Sequence, residues 1–268
     1  MNPLKSIKKI YLGIFNNLIN KNMKNQILMI SLLLMISLIC KSQVSENRTF
    51  ENFSALDVSS GISVEFTQSL IFSVKVESDN KELLKSMITK LNGNVLQVYI
   101  TGSHRNVKKF NVYISSPHLN KIEISSGSSF KIKNILKEEN LNIVMSSGVY
   151  FDGKLEVKKE TKINLESGSS FNSDLITESL NLKANSGCVC KLSGKAEKAN
   201  LFFSSGSSCN AIDFMTKQVN ATANSASSLE IYVLEILEAS VNSNSSVQYK
   251  GNPEVIKKIS SQSSLIKI

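Results

Sequence analysis

The stretch that decides the fold is "KIEISSGSSFKI", residues 121–132, where alternating apolar residues run into a Ser-Ser-Gly turn and emerge from it again. Four stretches repeat it in order: "NIVMSSGVYF", "INLESGSSFN", "NLKANSGCVC" and "NLFFSSGSSC". Weaker copies continue to the last residue, with turns 18 to 21 residues apart. A repeat of about 20 residues is typical of a solenoid, in which each repeat forms one coil. The turn residues are Gly127, Gly148, Gly168, Gly187, Gly206, Ala226, Asn244 and Gln262.

The columns beside each turn show which residues face the core. The residues three places before and three places after the turn residue are apolar in every copy. Apolar residues at alternate positions indicate strands with one buried face. Because the same positions are apolar in every copy, we expect similar residues of successive coils to stack on one another. We therefore predict an all-β fold, a single-stranded parallel β-helix or β-solenoid over residues 121–268. Its predicted core ladder is Phe130, Phe151, Phe171, Cys190, Cys209 and Leu229.

A serine precedes the turn residue in every copy. We predict that its hydroxyl is buried or half-buried, where it bonds backbone groups of the turn and its neighbours in the column. Glycine beside it permits a positive φ, to which Ala226 and Gln262 are unsuited, and this counts against positive φ in their coils. The predicted structural corner is Ser126, Gly127, Ser147, Gly148, Ser167, Gly168, Ser186, Gly187, Ser205 and Gly206.

The first residues of the chain predict export. Residues 1–42 hold six lysines and no acidic residue, and "ILMISLLLMISLIC", residues 27–40, is an apolar segment. A basic start followed by a segment of this length is typical of a secretory signal peptide, here cleaved before Gln43, and is short for a membrane-spanning helix. Met23 is an alternative start, which would leave residues 1–22 untranslated. An uncleaved N-terminal anchor is the other interpretation.

The net charge does not indicate a nucleic-acid partner. It is +9 for the whole chain, but the remainder after residues 1–42 has 25 basic and 22 acidic residues. That balance is ordinary for a protein surface. We expect an exported protein of the periplasm, outer membrane or cell surface.

Residues 43–120 lack a clean repeat and are predicted to start and cap the solenoid with strands and one helix. "FSALDVSSGISVEFTQ" carries the same turn at Gly61 and predicts a first coil. A helix is predicted over residues 80–92, with Gly93 just past its end. Its apolar stripe is Leu83, Leu84, Met87, Ile88 and Leu91.

Several of these segments together resemble one protein family. They are "RTFENFSALDVSSGISVEFTQ", "VKVES", "LLKSMITKLNGNVLQVYI" and "VYISSPHLNKIEISSGSS", followed by the serial Ser-Gly-Ser corners. The chain resembles the family called putative autotransporter adhesin, head GIN domain, from about Arg48 to Ile268. The resemblance implies an exported, right-handed β-helix-like protein of Gram-negative bacteria. It supplies no catalytic residues, and the loss of glycine from the late coils departs from its pattern.

The residues that could carry chemistry are scattered. His104 and His118 do not have metal-ligand spacing, and Arg105, Lys108 and Lys109 read as a solvated basic loop. The acids Glu123, Asp152 and Glu166 lie in different coils, whereas a glycosidase needs paired carboxylates. We predict no catalytic residue, no cofactor and no metal, and hence no enzyme.

The predicted function is a non-enzymatic binding or adhesion module of the cell envelope, whose partner is a cell-surface glycan or an envelope protein. Two alternatives stay open, a carbohydrate-active β-helix enzyme and a structural protein that self-assembles. Weak self-association is predicted through the C-terminal coil, because Leu265 and Ile268 would lie at an open strand edge.

Overall fold

The Ser-Ser-Gly repeats of the protein, described by a computed structural model, close into a parallel β-solenoid of about 7 turns. The fold class predicted from the apolar columns is therefore confirmed. The structure describes residues 23, 26, 29, 43–79, 81–102 and 110–268, and Gln43–Ile268 forms one compact unit. The predicted signal segment, residues 27–40, lies outside the described residues except for Met29. Among the described residues, no helix has the length and hydropathy to cross a membrane.

The N-terminal part consists of short strands and one short helix. In chain order the elements are β1 (Val44–Arg48), β2 (Ala55–Val58), β3 (Ser63–Gln68), β4 (Ser73–Ser78), α1 (Lys81–Ser86), β5 (Met87–Asn92), β6 (Val95–Ile100), β7 (Phe110–Ser116) and β8 (Lys121–Ile124). Strand β2 pairs in parallel with β8, and β3 pairs in parallel with the strand that follows β8, β9 (Ser129–Met145). The turn at Gly61 therefore stacks directly on the turn at Gly127, and the solenoid begins before residue 121.

The repeats contribute long strands that wrap around the tube from one turn to the next. They are β9 (Ser129–Met145), β10 (Tyr150–Leu165), β11 (Ser170–Ala184), β12 (Val189–Phe203), β13 (Ser208–Ala223), β14 (Ser228–Val241), β15 (Ser246–Lys250), β16 (Glu254–Ile259) and β17 (Ser264–Lys267). Each strand pairs in parallel with its counterpart in the next coil, so that Phe151 is the register partner of both Phe130 and Phe171.

The burial pattern divides each coil into three sides. In β9, inward and outward residues alternate over residues 129–132 and 140–145, and between them consecutive residues are exposed around the buried Leu136. We call residues 129–132 the first side, 135–138 the second side and 140–145 the third side, and we use the same names for their counterparts in other coils. Register irregularities between neighbouring coils fall around the second side, for example between Val157 and Glu160.

The predicted helix over residues 80–92 is wrong beyond Ser86. Met87–Asn92 is strand β5, which forms an antiparallel hairpin with β6. The turn of this hairpin is Gly93-Asn94, with Gly93 at φ +60°, and glycine at the first of two turn residues is typical of a type II′ hairpin. The prediction was too long because the apolar residues of the helix and those of the following strand together have the spacing of one helical face. Arg48 fixes the junction, since its guanidinium donates to the carbonyl oxygens of Met87 at 2.6 Å and Leu84 at 3.1 Å.

Strands of the N-terminal part cover the first coil. On the third side β6 pairs in parallel with β2, and β5 lies beyond it. On the first side β7 pairs in parallel with β3, followed outward by β4 and β1 in antiparallel orientation. The change from parallel to antiparallel pairing ends the coil stacking at this end of the tube.

A column of aromatic rings fills the core of the first coils. The ring centroids of Phe66 and Phe130 are 6.3 Å apart, those of Phe130 and Phe151 are 5.8 Å apart, and those of Phe151 and Phe171 are 4.8 Å apart. All four rings are buried. Offset stacking of this kind adds about 0.5–1.5 kcal/mol per pair beyond the burial of apolar area.

Candidate functional site

The Ser-Gly corner forms one edge of the tube, and its backbone rather than its side chains holds the coils together. The N–H of Gly127 donates to the carbonyl oxygen of Ser147 at 2.8 Å, and the same bond repeats from coil to coil. Both residues of each pair have positive φ, for example +57° at Ser126 and +70° at Gly127. Because the serine and the glycine of each corner both have left-handed backbone conformation, the glycine N–H and the serine carbonyl point along the tube axis towards the neighbouring coils. The corner residues with this geometry are Ser126, Gly127, Ser147, Gly148, Ser167, Gly168, Ser186, Gly187, Ser205 and Gly206.

The corner differs from the sequence prediction in two respects. Its serine side chains are exposed, whereas the prediction had them buried or half-buried. Ala226 and Gln262 also adopt positive φ, +61° and +68°, although neither residue favours it. At Ala226 the stacking bond imposes the conformation, because its N–H must reach the carbonyl oxygen of Ser243 in the next coil, which it does at 2.9 Å. The tertiary bond thus overrides the residue's own preference.

The hydroxyls that satisfy backbone groups belong to the residue after the turn. The hydroxyl of Ser169 donates to the carbonyl oxygen of Glu166 at 2.6 Å, and that of Ser207 to Ser204 at 2.8 Å. Sequence reasoning missed this column, although the second serine of each Ser-Gly-Ser corner marks it. Its buried serines are Ser128, Ser169, Ser207, Ser227 and Ser245.

The predicted core-ladder residues lie inside the tube and contribute to its packing rather than to a binding surface. Phe130, Phe151, Phe171, Cys190, Cys209 and Leu229 are all buried. Cys190 and Cys209 are register partners, and both are free thiols, as is Cys188. Burial raises the pKa of the Cys190 thiol well above its ordinary value, because a thiolate would lose its hydration there; the neighbouring Cys209 adds to the effect.

The charged residues singled out from the sequence lie apart from one another. Glu123 pairs with Lys121 at 2.8 Å, and Asp152 accepts a hydrogen bond from Asn172 at 2.6 Å. Glu166 is exposed beside the corner of another coil. The basic loop with His104, Arg105, Lys108 and Lys109 lies outside the described residues. In the part of the chain that the structure describes, no three His, Cys, Asp or Glu side chains are grouped to hold a metal ion.

A groove of about 740 Å³ opens on the second side. Its lining combines two aliphatic residues with charged ones: His118, Lys137, Glu138, Glu139, Glu156, Val157, Lys158, Ile176 and Lys195. The groove spans several coils, because Glu156 pairs in register with both Lys137 and Ile176. Among the groove residues, the sequence analysis singled out only His118.

Most carboxylates of this groove are already paired. Glu138 accepts a hydrogen bond from the N–H of Leu119 at 2.7 Å, and its other oxygen is 3.5 Å from Nδ1 of His118. Lys137 pairs with Glu156 at 2.7 Å. Lys158 pairs with Glu139 at 2.6 Å, and this hydrogen bond is the main cause that lowers the pKa of the Glu139 carboxyl. The acids of the groove are therefore largely neutralised within the protein.

The third side carries ladders of amide side chains that point to solvent. Asn200 donates to Asn181 at 2.9 Å, and Asn181 donates to Glu160 at 2.7 Å. Near the corner, Asn242 donates to Asn224 at 3.1 Å. Like residues thus repeat along the tube axis at the strand spacing of about 4.8 Å. Such a surface offers regularly spaced hydrogen-bonding groups.

The fold and this surface together define a parallel β-solenoid with repeating polar ladders, which is a scaffold suited to binding. More specifically, the chain belongs to the family described as putative auto-transporter adhesin, head GIN domain, whose model matches residues 52–253. The resemblance found in the sequence is therefore confirmed. No curated protein matches the chain significantly.

Three solved structures share the fold. A putative lipid binding protein from Parabacteroides distasonis has a TM-score of 0.77 at 17% identity, covering 85% of this chain and 98% of its own. A putative adhesin from Parabacteroides merdae has a TM-score of 0.66 at 18% identity, covering 85% and 97%. A putative adhesin from Bacteroides fragilis has a TM-score of 0.61 at 22% identity, with the same coverage of 85% and 97%. At these identities the likeness shows the fold.

Proposed function

We propose that the protein is an exported, non-enzymatic binding module that adheres to a cell-surface glycan or an envelope protein. The observation that carries the proposal is the set of amide ladders on the third side of a member of an adhesin-like family. A polymer whose hydroxyl groups recur along its length can make the same hydrogen bonds in successive coils. A glycan chain has this property and is the preferred ligand class.

Export is supported by the start of the chain. Residues 1–42 combine basic residues with the apolar segment 27–40, which is the arrangement of a secretory signal. The compact unit begins at Gln43, the residue predicted to follow cleavage. Adhesion at a cell surface requires this export.

A non-enzymatic role is supported by the separation of the acids. Glycosidases set two carboxyl groups about 5–10 Å apart across the bond they cleave. Here Glu123 is paired with Lys121, Asp152 accepts a bond from Asn172, and Glu166 lies beside the corner of another coil. The acids that do share the groove, Glu138, Glu139 and Glu156, are each bonded within the protein. The enzyme alternative is tested by incubating the mature protein with polysaccharides and measuring new reducing ends. We expect none above buffer, and a sustained release of reducing ends would reverse this part of the proposal.

The experiment for adhesion is a glycan array probed with the mature exported protein, followed by affinity measurement on each hit. A variant that carries Asn181→Ala and Asn200→Ala should bind about tenfold more weakly, since each hydrogen bond contributes about 0.5–1.5 kcal/mol. Asn172→Ala on the first side is the matched control and should bind like the wild type. Binding that survives loss of the third-side amides would exclude the ladders as the contact. A wild type that binds no glycan and no envelope protein would end the proposal itself.

A further inference from the structure

A continuous ladder along the second side combines charged residues with large apolar ones. Each member is the register partner of the next. Ile176 and Met215 are 43% and 44% exposed. Leu234, two residues beyond Tyr232, is also exposed. This second-side ladder consists of Lys137, Glu156, Ile176, Lys195, Met215, Tyr232 and Lys250.

The turn between β3 and β4 extends the ladder with two aliphatic residues held in solvent. Leu70 is 90% exposed and Ile71 is 72% exposed. The side chain of Gln68 donates to the carbonyl oxygen of Lys137 at 3.0 Å and accepts from its N–H at 2.8 Å. These two bonds dock the turn against the first residue of the ladder.

Further hydrogen bonds brace the same turn. Asn134 donates to the carbonyl oxygen of Gln68 at 2.9 Å and accepts from its N–H at 3.0 Å. The hydroxyl of Ser115 donates to the carbonyl oxygen of Ile71 at 2.7 Å. Because both sides of the turn are fixed to neighbouring strands, the exposure of Leu70 and Ile71 is built into the fold. Exposed apolar groups held in this way indicate an interaction surface.

The composition of the second side fits a lipid better than a protein partner. The centres of protein interfaces are depleted in lysine and enriched in aromatic residues. Here Lys195 lies between Ile176 and Met215 in neighbouring coils, an arrangement in which a lysine stem lies along apolar surface while its ammonium group reaches polar headgroups. Ile176 and Val157 also line the 740 Å³ groove, beside Lys137, Lys158 and Lys195.

The charges of the ladder complement an acidic headgroup. Glu156 is matched by Lys137 at 2.7 Å. Among the described residues, Lys195 and Lys250 have no ion-pair partner, and the Lys250 ammonium lies 5.0 Å from the centroid of the Tyr232 ring. The ladder therefore presents two unmatched positive charges on the side of the tube that carries Ile176 and Met215.

We propose that the second side is a lipid-contact surface, on which the tube lies lengthwise against a membrane that contains anionic lipid. The Leu70–Ile71 turn enters the boundary of the acyl chains, and Lys195 and Lys250 contact the headgroups. Two aliphatic residues form a weak anchor, so the contact is reversible and needs the lysines as a second attraction. This surface goes beyond the proposed adhesion through the third side and leaves that side free.

The chain has no tryptophan, which makes a single-residue fluorescent reporter straightforward. In the mature exported protein, Leu70→Trp should show a blue-shifted emission with vesicles of phosphatidylethanolamine and phosphatidylglycerol, and a smaller shift with phosphatidylcholine alone. Phe202→Trp is the matched control, because Phe202 is an exposed aromatic residue on the third side. Its emission should stay unchanged. Equal shifts at both positions, or none at position 70, would overturn the proposal.

Vesicle co-sedimentation provides the second measurement. A variant with Leu70→Ser and Ile71→Ser should lose about tenfold or more in vesicle affinity, given about 0.8 kcal/mol per buried CH₂. Lys195→Gln with Lys250→Gln should remove the preference for anionic vesicles, whereas Phe202→Ser should sediment like the wild type. Unchanged sedimentation of the first two variants refutes the lipid surface. Glycan binding by the same variants tests the proposed adhesion separately, because the third side is intact in the Leu70, Ile71, Lys195 and Lys250 variants.

Discussion

Replacing Gly194 by alanine should unfold the protein far more readily than replacing Gly168 in the repeated corner. Gly194 lies in β12 with a φ of +107°. A Cβ added there would lie 2.2 Å from the carbonyl oxygen of Leu175 in the adjacent coil, about 0.8 Å closer than real Cβ contacts allow. Alanine can be accommodated only if β11 and β12 move apart, which lengthens the hydrogen bonds between the coils.

The magnitude follows from two costs. Holding a non-glycine residue in this region of φ costs about 1–3 kcal/mol. Forcing an extra methyl into a packed site costs about 1–3 kcal/mol more. We therefore expect Gly194→Ala to lower the free energy of unfolding by about 2–6 kcal/mol. That is a large share of the about 5–15 kcal/mol that stabilises a typical domain.

Gly168→Ala is the matched control. Gly168 has a φ of +73°, and an added Cβ would meet no atom within 4 Å. The left-handed conformation costs about 1–2 kcal/mol, and the reduced entropy of the unfolded chain returns about 0.4–1 kcal/mol. The equivalent residue three coils later is Ala226, with a φ of +61°. Alanine at position 168 should therefore cost about 0–1.6 kcal/mol.

Urea unfolding of the mature protein and both variants, followed by circular dichroism, measures the difference. The two variants should differ in midpoint while the slope with urea stays similar, since the surface exposed on unfolding is unchanged. Equal losses at positions 168 and 194 would refute the reasoning, because they would mean that φ alone, and not the contact with Leu175, sets the cost.

Four other outcomes are expected. Phe171→Asp places an unpaired charge in the core, where the Phe171 and Phe151 ring centroids are 4.8 Å apart, and should destabilise the protein by about 3 kcal/mol or more. Near-wild-type melting would mean that this column points outward. Burial raises the pKa of the Cys190 thiol in the folded protein above the ordinary value of about 8.5 that it has in the unfolded chain. Above that pH the unfolded chain forms a thiolate that the fold disfavours, so the protein loses stability and its unfolding midpoint should fall in alkali. The folded thiol should also resist alkylation at pH 8. N-terminal sequencing of the exported protein should begin at Gln43, and a chain that retains residues 27–40 would contradict cleavage. Sedimentation velocity should show weak self-association, because among the described strands β17 pairs with β15 alone and its other edge is open. Leu265→Lys should reduce this association. A wild type that stays monomeric at high concentration would contradict an open edge.

The sequence was sufficient for the fold because the inward columns keep constant offsets from the turn. Phe130, Phe151 and Phe171 each stand three residues after their glycine, and each is buried in register with the next. Stacking of like residues makes the repeat visible in the sequence. The helix was overextended because Met87–Asn92 belongs to a hairpin whose partner β6 is needed to recognise it. Periodicity alone cannot separate a short helix from the strand that continues it.

The corner serines illustrate a second limit. Ser126 and its equivalents recur in every coil, yet the recurrence reflects a left-handed backbone whose stacking bonds are made by main-chain groups. Nothing in the residue type distinguishes a serine that donates from one that is exposed. The buried column at Ser128, Ser169 and Ser207 has nearly the same spacing, and only the direction of the side chain separates the two.

The second side could not be read from the sequence for a related reason. The residues of its ladder do not lie at a constant distance from the turn. Lys137 lies ten residues after the turn residue of its coil, Met215 lies nine residues after its own, and Tyr232 lies six residues after its own. The first and third sides hold their offsets, so the variation between 18 and 21 residues per repeat is taken up around the second side, where the register irregularities lie. The second side keeps a buried column of its own, in which Leu136, Leu155 and Leu175 are register partners. Its outward residues can change in type and in distance from the turn, so the surface proposed to contact lipid lies on the side whose outward column the repeat does not reveal.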